Sequence, residues 1–182
     1  DKNINRERVN RFFDRRQFGY IGSIHEQVQR LDGELYDTYE IPVKVEHSGY
    51  DGTAEELRNK ALRNIELLEQ ELELQENPYI LYQLGKSYYM IGDYENALNY
   101  FENATTYDLE PRLEYVEDLV VSYGYTLINT KRINQALMFE NLYDEFSYSA
   151  DFVFLMGLIY MNNRLFDRAV EEFTKATEIS SY

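Results

Sequence analysis

The sequence predicts a mainly α-helical chain, an α–α superhelix of about three helical hairpins behind one further helix, with a small β-containing segment at the front. Three observations lead there. A Gly, a large side chain three residues on and an Ala twelve residues after the Gly recur as Gly85, Tyr88, Ala97, then Gly124, Leu127, Ala136, then Gly157, Tyr160, Ala169. Self-similarity at a period of roughly 34 residues, built from two helical patterns, marks a solenoid whose units cannot bury their apolar faces alone and must stack. Ahead of the repeats, Leu57, Ala61, Ile65, Leu68 and Leu72 fall at intervals of three or four, the spacing of one apolar helix face. Ahead of that helix the pattern changes to short runs with period-two alternation, and five of the nine glycines occur by residue 52.

Taken in chain order, residues 1–52 read as a β-rich segment. Phe18, Tyr20 and Ser23 through Val28 follow a turn-like Asp14-Arg15-Arg16-Gln17, and Ile41-Pro42-Val43-Lys44-Val45-Glu46-His47 alternates apolar and polar. That predicts two or three strands, with 31–39 as loop. A segment of about 50 residues buries little surface, so it is expected to lean on the helices or on a further neighbour. Thr53 and Glu56 have capping-box spacing and start a connecting helix over 53–77. It stops at Asn77-Pro78, and Pro78 suits the first turn of the next helix, where a missing N–H is harmless. The array then fills 78–182 in units of about 78–110, 111–149 and 150–182. Its helix pairs are 78–91 with 94–106, 111–129 with 133–143, and 151–162 with 166–179.

Lys and Arg total 18 against 33 Asp and Glu. The imbalance sits on the helices: residues 1–50 carry 8 basic and 9 acidic side chains, residues 51–182 carry 10 and 24. A surface this negative repels phosphate backbones, so nucleic acid binding by the array is not expected. The charge instead keeps an apolar, Tyr-rich surface soluble. There is no cysteine, hence no disulfide framework and no thiolate metal site, which fits a reducing cytoplasm. No apolar run reaches the roughly 18 residues a bilayer span requires, and the charged opening Asp1-Lys2-Asn3 is not a signal peptide. The chain opens without Met in what reads as structured sequence, so a piece of a longer protein is expected.

The repeats resemble tetratricopeptide repeats (TPRs). Leu81, Leu84, Gly85, Tyr88, Ala97, Phe101 and Ala104 occupy the signature positions of that family in the first unit, and Val153, Met156, Gly157, Tyr160, Ala169, Phe173 and Ala176 do so in the third. Small residues are needed where the two helices cross closely, and aromatics fill the space between units. The middle unit keeps Val120, Tyr123, Gly124, Leu127 and Ala136, but Glu140 and Tyr143 stand where Phe and Ala are usual. It is also displaced: Gly85 to Gly124 is 39 residues against 33 from Gly124 to Gly157, which puts extra length around Asp108-Leu109-Glu110-Pro111. The resemblance implies that the first helix of each pair lines a groove for a protein or peptide partner. By position that gives Tyr79, Tyr82, Lys86 and Tyr89, then Asp118, Val121, Tyr125 and Asn129, then Phe154, Leu158, Met161 and Asn162. The Lys and Asn set that clamps a C-terminal carboxylate in chaperone-binding members is absent, so that ligand is not expected. With 18 tyrosines in the chain, the alternative is that these rings are packing residues between helices. No polar solvating helix follows the third unit, so Phe166, Val170 and Phe173 leave an end face that invites a homodimer or further repeats.

The front segment carries the only two histidines. Arg11-Phe12-Phe13, then Gly22-Ser23-Ile24-His25-Glu26-Gln27, and later His47-Ser48-Gly49-Tyr50, resemble the C-terminal end of the catalytic domain of bacterial family 2 glycosyltransferases, in a subgroup where TPR units follow. The resemblance implies a parent enzyme that transfers a sugar from a nucleotide donor with Mg²⁺ or Mn²⁺. Glu26 matches the place of the base that deprotonates the acceptor, and His25 the place of a contact to acceptor or diphosphate. His47 matches a late histidine near the diphosphate or its metal, with Arg11 and Arg15 as candidate phosphate partners. No D-x-D element for the cation occurs, so this chain alone is expected to be inactive, without a metal or cofactor of its own. Two readings stand at this point: the interaction module of such a transferase, and a pure TPR scaffold with an unrelated front cap. For Glu26, His25 and His47 the plain alternative is that they are ordinary strand residues.

Overall fold

A computed structural model describes residues 12–21, 27–34, 36, 37, 39 and 53–180. The chain divides into two compact units, Asp1–Thr53 and Ala54–Tyr182.

In the front unit, β1 (Phe18–Ile21) pairs antiparallel with β2 (Gln27–Arg30), Phe18 opposite Arg30 and Tyr20 opposite Val28. Asp14 closes the preceding turn by accepting hydrogen bonds from the Arg16 backbone and guanidinium. Val28 is buried, and Tyr36 donates its hydroxyl to the Val28 carbonyl while its ring meets Phe18 edge-on at 5.1 Å. These contacts give a two-stranded ribbon an apolar side, without which such a hairpin is marginal. The strand read at 41–47 lies outside the described residues.

The helical unit runs α1 (Ala54–Leu74), α2 (Pro78–Met90), α3 (Tyr94–Ala104) and α4 (Glu114–Asn129). A 3₁₀ stretch (Gln135–Leu142), the short α5 (Tyr143–Phe146), α6 (Ala150–Asn162) and α7 (Phe166–Ser180) complete it. Helix starts follow capping chemistry. Asn77 accepts from the Ile80 amide at 3.0 Å with Pro78 in the first turn, Asp93 accepts from Asn96, and Ser149 accepts from Phe152. The face of α1 read from the sequence is the face it buries, with Ala61, Ile65 and Leu68 inside.

One element departs from expectation. The middle unit has no regular helix over 133–143. Glu140 and Tyr143 stand where Phe101 and Ala104 fill the crossing in the first unit, and the segment tightens into a 3₁₀ helix in which Ala136, Phe139 and Leu142 fall every third position. Three residues per turn stack that series on one side, where Ala136 and Phe139 are buried. The place of the missing aromatic against Gly124 is taken by Leu155 of α6. The extra length before the middle unit is the non-helical stretch Thr105 to Leu113, and α4, at 16 residues, is longer than α2 and α6 at 13 each. The core is continuous through the array, with Phe101, Leu119, Phe139, Phe152 and Met156 all buried in it.

Candidate functional site

The first helices of the three hairpins are α2, α4 and α6, and the sequence places the candidate groove residues on them. Between α2 and α4 these residues meet in successive turns. Tyr79 and Tyr82 pack on Tyr115 with ring centroids 5.2 and 5.5 Å apart. Lys86 pairs with Asp118 at 2.7 Å and lies 5.4 Å over the Tyr82 ring. Asn129 donates its side-chain amide to the Tyr89 hydroxyl at 3.1 Å. Tyr125 is half-buried, and its phenol is pushed up by burial, then by the charge of Asp151 and by Tyr89. The result is one tyrosine-rich strip crossing from helix to helix, its cation already neutralised by Asp118.

The strip is not uniformly open. Tyr82 is only 4% exposed and gives its hydroxyl to Asp118, so its ring serves the join between units. Tyr79, Lys86, Tyr89 and Tyr125 are partly exposed, and Asn129 is exposed. The same pairing recurs elsewhere: the half-buried Tyr88 donates to Glu69 at 2.8 Å and Tyr143 to Glu172 at 2.6 Å, and the exposed Tyr107 and Tyr148 donate to Glu76 at 2.8 Å and Glu117 at 3.2 Å. A tyrosine ring buried between helices needs a partner for its hydroxyl, and the abundant carboxylates provide it. This pairing joins two features that composition showed separately, the tyrosines and the acid. Tyr82→Phe is therefore expected to cost about 1 kcal/mol, and Tyr89→Phe, whose Asn129 partner is exposed, less than half of that; urea denaturation followed by circular dichroism measures both.

On α6 the remaining groove residues meet a different environment. Phe154 and Met161 are exposed, Leu158 is half-buried, and Phe154 packs on Phe173 of α7 at 5.2 Å. When Gly157 is aligned with Gly85, Phe154 corresponds to Tyr82, Val170 to Leu98 and Phe173 to Phe101. Phe154 is 44% exposed where Tyr82 is 4%, and Val170 is 64% exposed where Leu98 is 1%. In the first unit α4 packs on α2 and α3, and among the described residues no helix does so in the third. Asn162 is exposed, with its side-chain amide turned back to the Leu158 carbonyl at 2.8 Å.

Arg11, His25, Glu26 and His47 lie outside the described residues. Among the described residues no group of three or more His, Asp or Glu side chains is placed to share a metal ion, and no helix is long and apolar enough to cross a membrane.

Residues 78–110 and 150–182 each match the tetratricopeptide repeat family. The helical unit is a tetratricopeptide-type superhelix. Two solved structures agree: MamA 41-end from Desulfovibrio magneticus RS-1, and the MamA RS-1 ArsTM double mutant. Each superposes with a TM-score of 0.55 at 23% identity over 69% of this chain, covering 75% and 74% of theirs. At that identity the likeness concerns the fold. In sequence, the chain is 24% identical over 152 residues to the SPbeta prophage-derived glycosyltransferase SunS of Bacillus subtilis (strain 168), and equally to glycosyltransferase SunS of Bacillus phage SPbeta. The match takes in 80% of this chain and spans 36% of the length of those relatives.

Proposed function

We propose that this chain is the interaction arm, with the end of the catalytic domain, of a family 2 glycosyltransferase. In this reading the parent transfers a sugar from a nucleotide donor to an acceptor that the TPR array recruits through the strip from Tyr79 to Asn129. What carries the proposal is the reach of the likeness to the SunS glycosyltransferases: 80% of the chain is more than the repeats at 78–182 account for. In the proposal Glu26 is the base for the acceptor hydroxyl, His25 touches acceptor or diphosphate, and His47 and Arg11 steady the leaving diphosphate. Mg²⁺ or Mn²⁺, when bound, offsets charge on that diphosphate. The setting is cytoplasmic, which a chain without cysteine suits.

The test compares this chain with a protein that also contains the preceding nucleotide-binding half, against a panel of nucleotide sugars with either cation. Transfer by the longer protein alone supports the reading, with Glu26→Gln lowering turnover far more than donor affinity. Silence in both favours the scaffold reading, in which the tyrosine strip binds a protein partner and no catalysis occurs.

The exposed Phe154, Phe166 and Val170 support one further part of the proposal, self-association of two copies through α6 and α7. Val170→Asp should then convert a dimer to a monomer in light scattering while changing stability by no more than about 0.5 kcal/mol, as expected for a largely exposed side chain. A wild type that is monomeric at high concentration removes self-association from the proposal.

A further inference from the structure

A cleft of about 590 Å³ lies between the turn that follows α4 and the turn that follows α6. Lys131, Arg132, Asn134 and Gln135 line one side and Asn162 and Arg164 the other, and among the described residues no acidic one lines it. That composition is unusual in a unit where residues 51–182 hold only 10 basic side chains against 24 acidic ones.

The cations differ in how far they are committed. Arg132 is held by Glu95 at 2.8 Å. Lys131 and Arg164 are exposed and make no ion pair among the described residues. Both stand in the left-handed region, at φ 61° and φ 62°, the two non-glycine residues that do so among those described. In the repeat register they share one position with Gly92 of the first unit, at φ 80°. Glycine is the usual occupant of such a site, and the two units that form the cleft carry a cation there instead. Among the described residues the helix ends are closed by backbone bonds rather than by these side chains. The Arg132 amide donates to the Leu127 carbonyl at 2.8 Å, and the Leu165 amide to that of Tyr160 at 2.9 Å. The two turns are also tied together, because Asn163 donates its side-chain amide to the Ile133 carbonyl at 3.2 Å and to that of Ile159 at 2.9 Å.

We propose that this cleft is a binding site for a compact phosphate-type anion of the diphosphate class, gripped from opposite turns by Lys131 and Arg164. Two free cations facing a common space suit a ligand with two charged centres, with the Arg fork and the Lys point charge each meeting phosphoryl oxygens. Asn134 and Gln135 line the same space and add neutral polar groups, the Gln135 amide also donating to Glu102 at 3.4 Å. An extended polyanion is disfavoured, because beyond the cleft it runs onto a strongly acidic surface, whereas a small anion stays between Lys131 and Arg164, the two exposed cations that line the cleft.

The experiment titrates the ¹⁵N-labelled chain with inorganic pyrophosphate, and separately with a nucleoside diphosphate, at constant ionic strength. Saturable shifts are expected at the amides of 131–135 and 162–164, and the arm that saturates at lower concentration identifies the source of the diphosphate. The double variant Lys131→Gly/Arg164→Gly should bind at least about tenfold more weakly while melting no earlier than wild type, since glycine accepts the left-handed backbone more readily. Linear shifts without saturation in both arms, or unchanged affinity in the folded double variant, overturn the proposal.

Discussion

Gly85→Ala lowers the stability of the helical unit by about 2–3 kcal/mol, the upper part of the range for overpacking a tight core, and it does so more than the same change at Gly157. A Cβ on Gly85 would stand 2.5 Å from Cε1 of Phe101. That ring is wholly buried, on α3 beneath α4, with the Tyr123 ring 6.4 Å away, so it has nowhere to move. Gly157 has the same local clash, 2.5 Å from Cε1 of Phe173. Phe173, however, is only half-buried and leans on the exposed Phe154, so its ring can swing outward. Gly157→Ala should therefore cost about 1 kcal/mol or less. Gly124→Ala, whose new methyl meets Leu155 Cδ2 at 2.4 Å inside the core, falls between them. Urea denaturation of the three variants, read by ellipticity at 222 nm, ranks them. Equal losses at Gly85 and Gly157 would contradict the account in which stacking of the next unit fixes the ring.

The comparison of these glycines shows why much of the fold was legible. A helical crossing that admits no Cβ must carry a small residue, and the aromatic that fills it must recur at a fixed distance, so the first and third hairpins are visible in Gly85, Ala97, Phe101 and in Gly157, Ala169, Phe173. The middle hairpin hid its second element because Ala136, Phe139 and Leu142 fit a period of three as well as a ragged α-helix, and the partner of Gly124 comes from another unit.

The tyrosine strip was legible as a set of positions and not as a division of labour. Whether a ring serves packing or stays open depends on carboxylates from a neighbouring unit, such as Asp118 for Tyr82 or Glu172 for Tyr143, and helix periodicity carries no information on that distance. The basic cleft had a signal that went unread. Aligning the repeats puts Lys131 and Arg164 on Gly92, and a cation at a glycine position in two successive units is visible once the turns are compared as closely as the helices.

Raising the pH from 10 to 12 should unfold the helical unit, and its tyrosines set that window. Burial pushes the phenol of Tyr123 up to about 12, with the charge of Glu102 adding to it, and burial with Glu140 does the same for Tyr160, also to about 12. Tyr88 and Tyr143 are moved upward too, by burial first and then by the hydrogen bonds they give to Glu69 and Glu172. In the unfolded chain these groups ionise near 10. The folded state thus holds protons that the unfolded state releases, so the stability they confer is complete below pH about 10 and falls as the pH climbs towards the folded values. Tyr123 and Tyr160 are almost wholly buried, and a difference of this size corresponds to about 2 kcal/mol for each by the top of the window, a large share of the stability of a domain this size. Phenolate absorbance at 295 nm and ellipticity at 222 nm should change together in one steep transition between pH 10 and 12, with no loss from this source between pH 7 and 9. Tyr123→Phe removes one of the linked protons and should make the transition shallower. Gradual ionisation with the helical signal intact through pH 12 would mean that the tyrosines titrate in place, and that their hydroxyl pairs do not join the units.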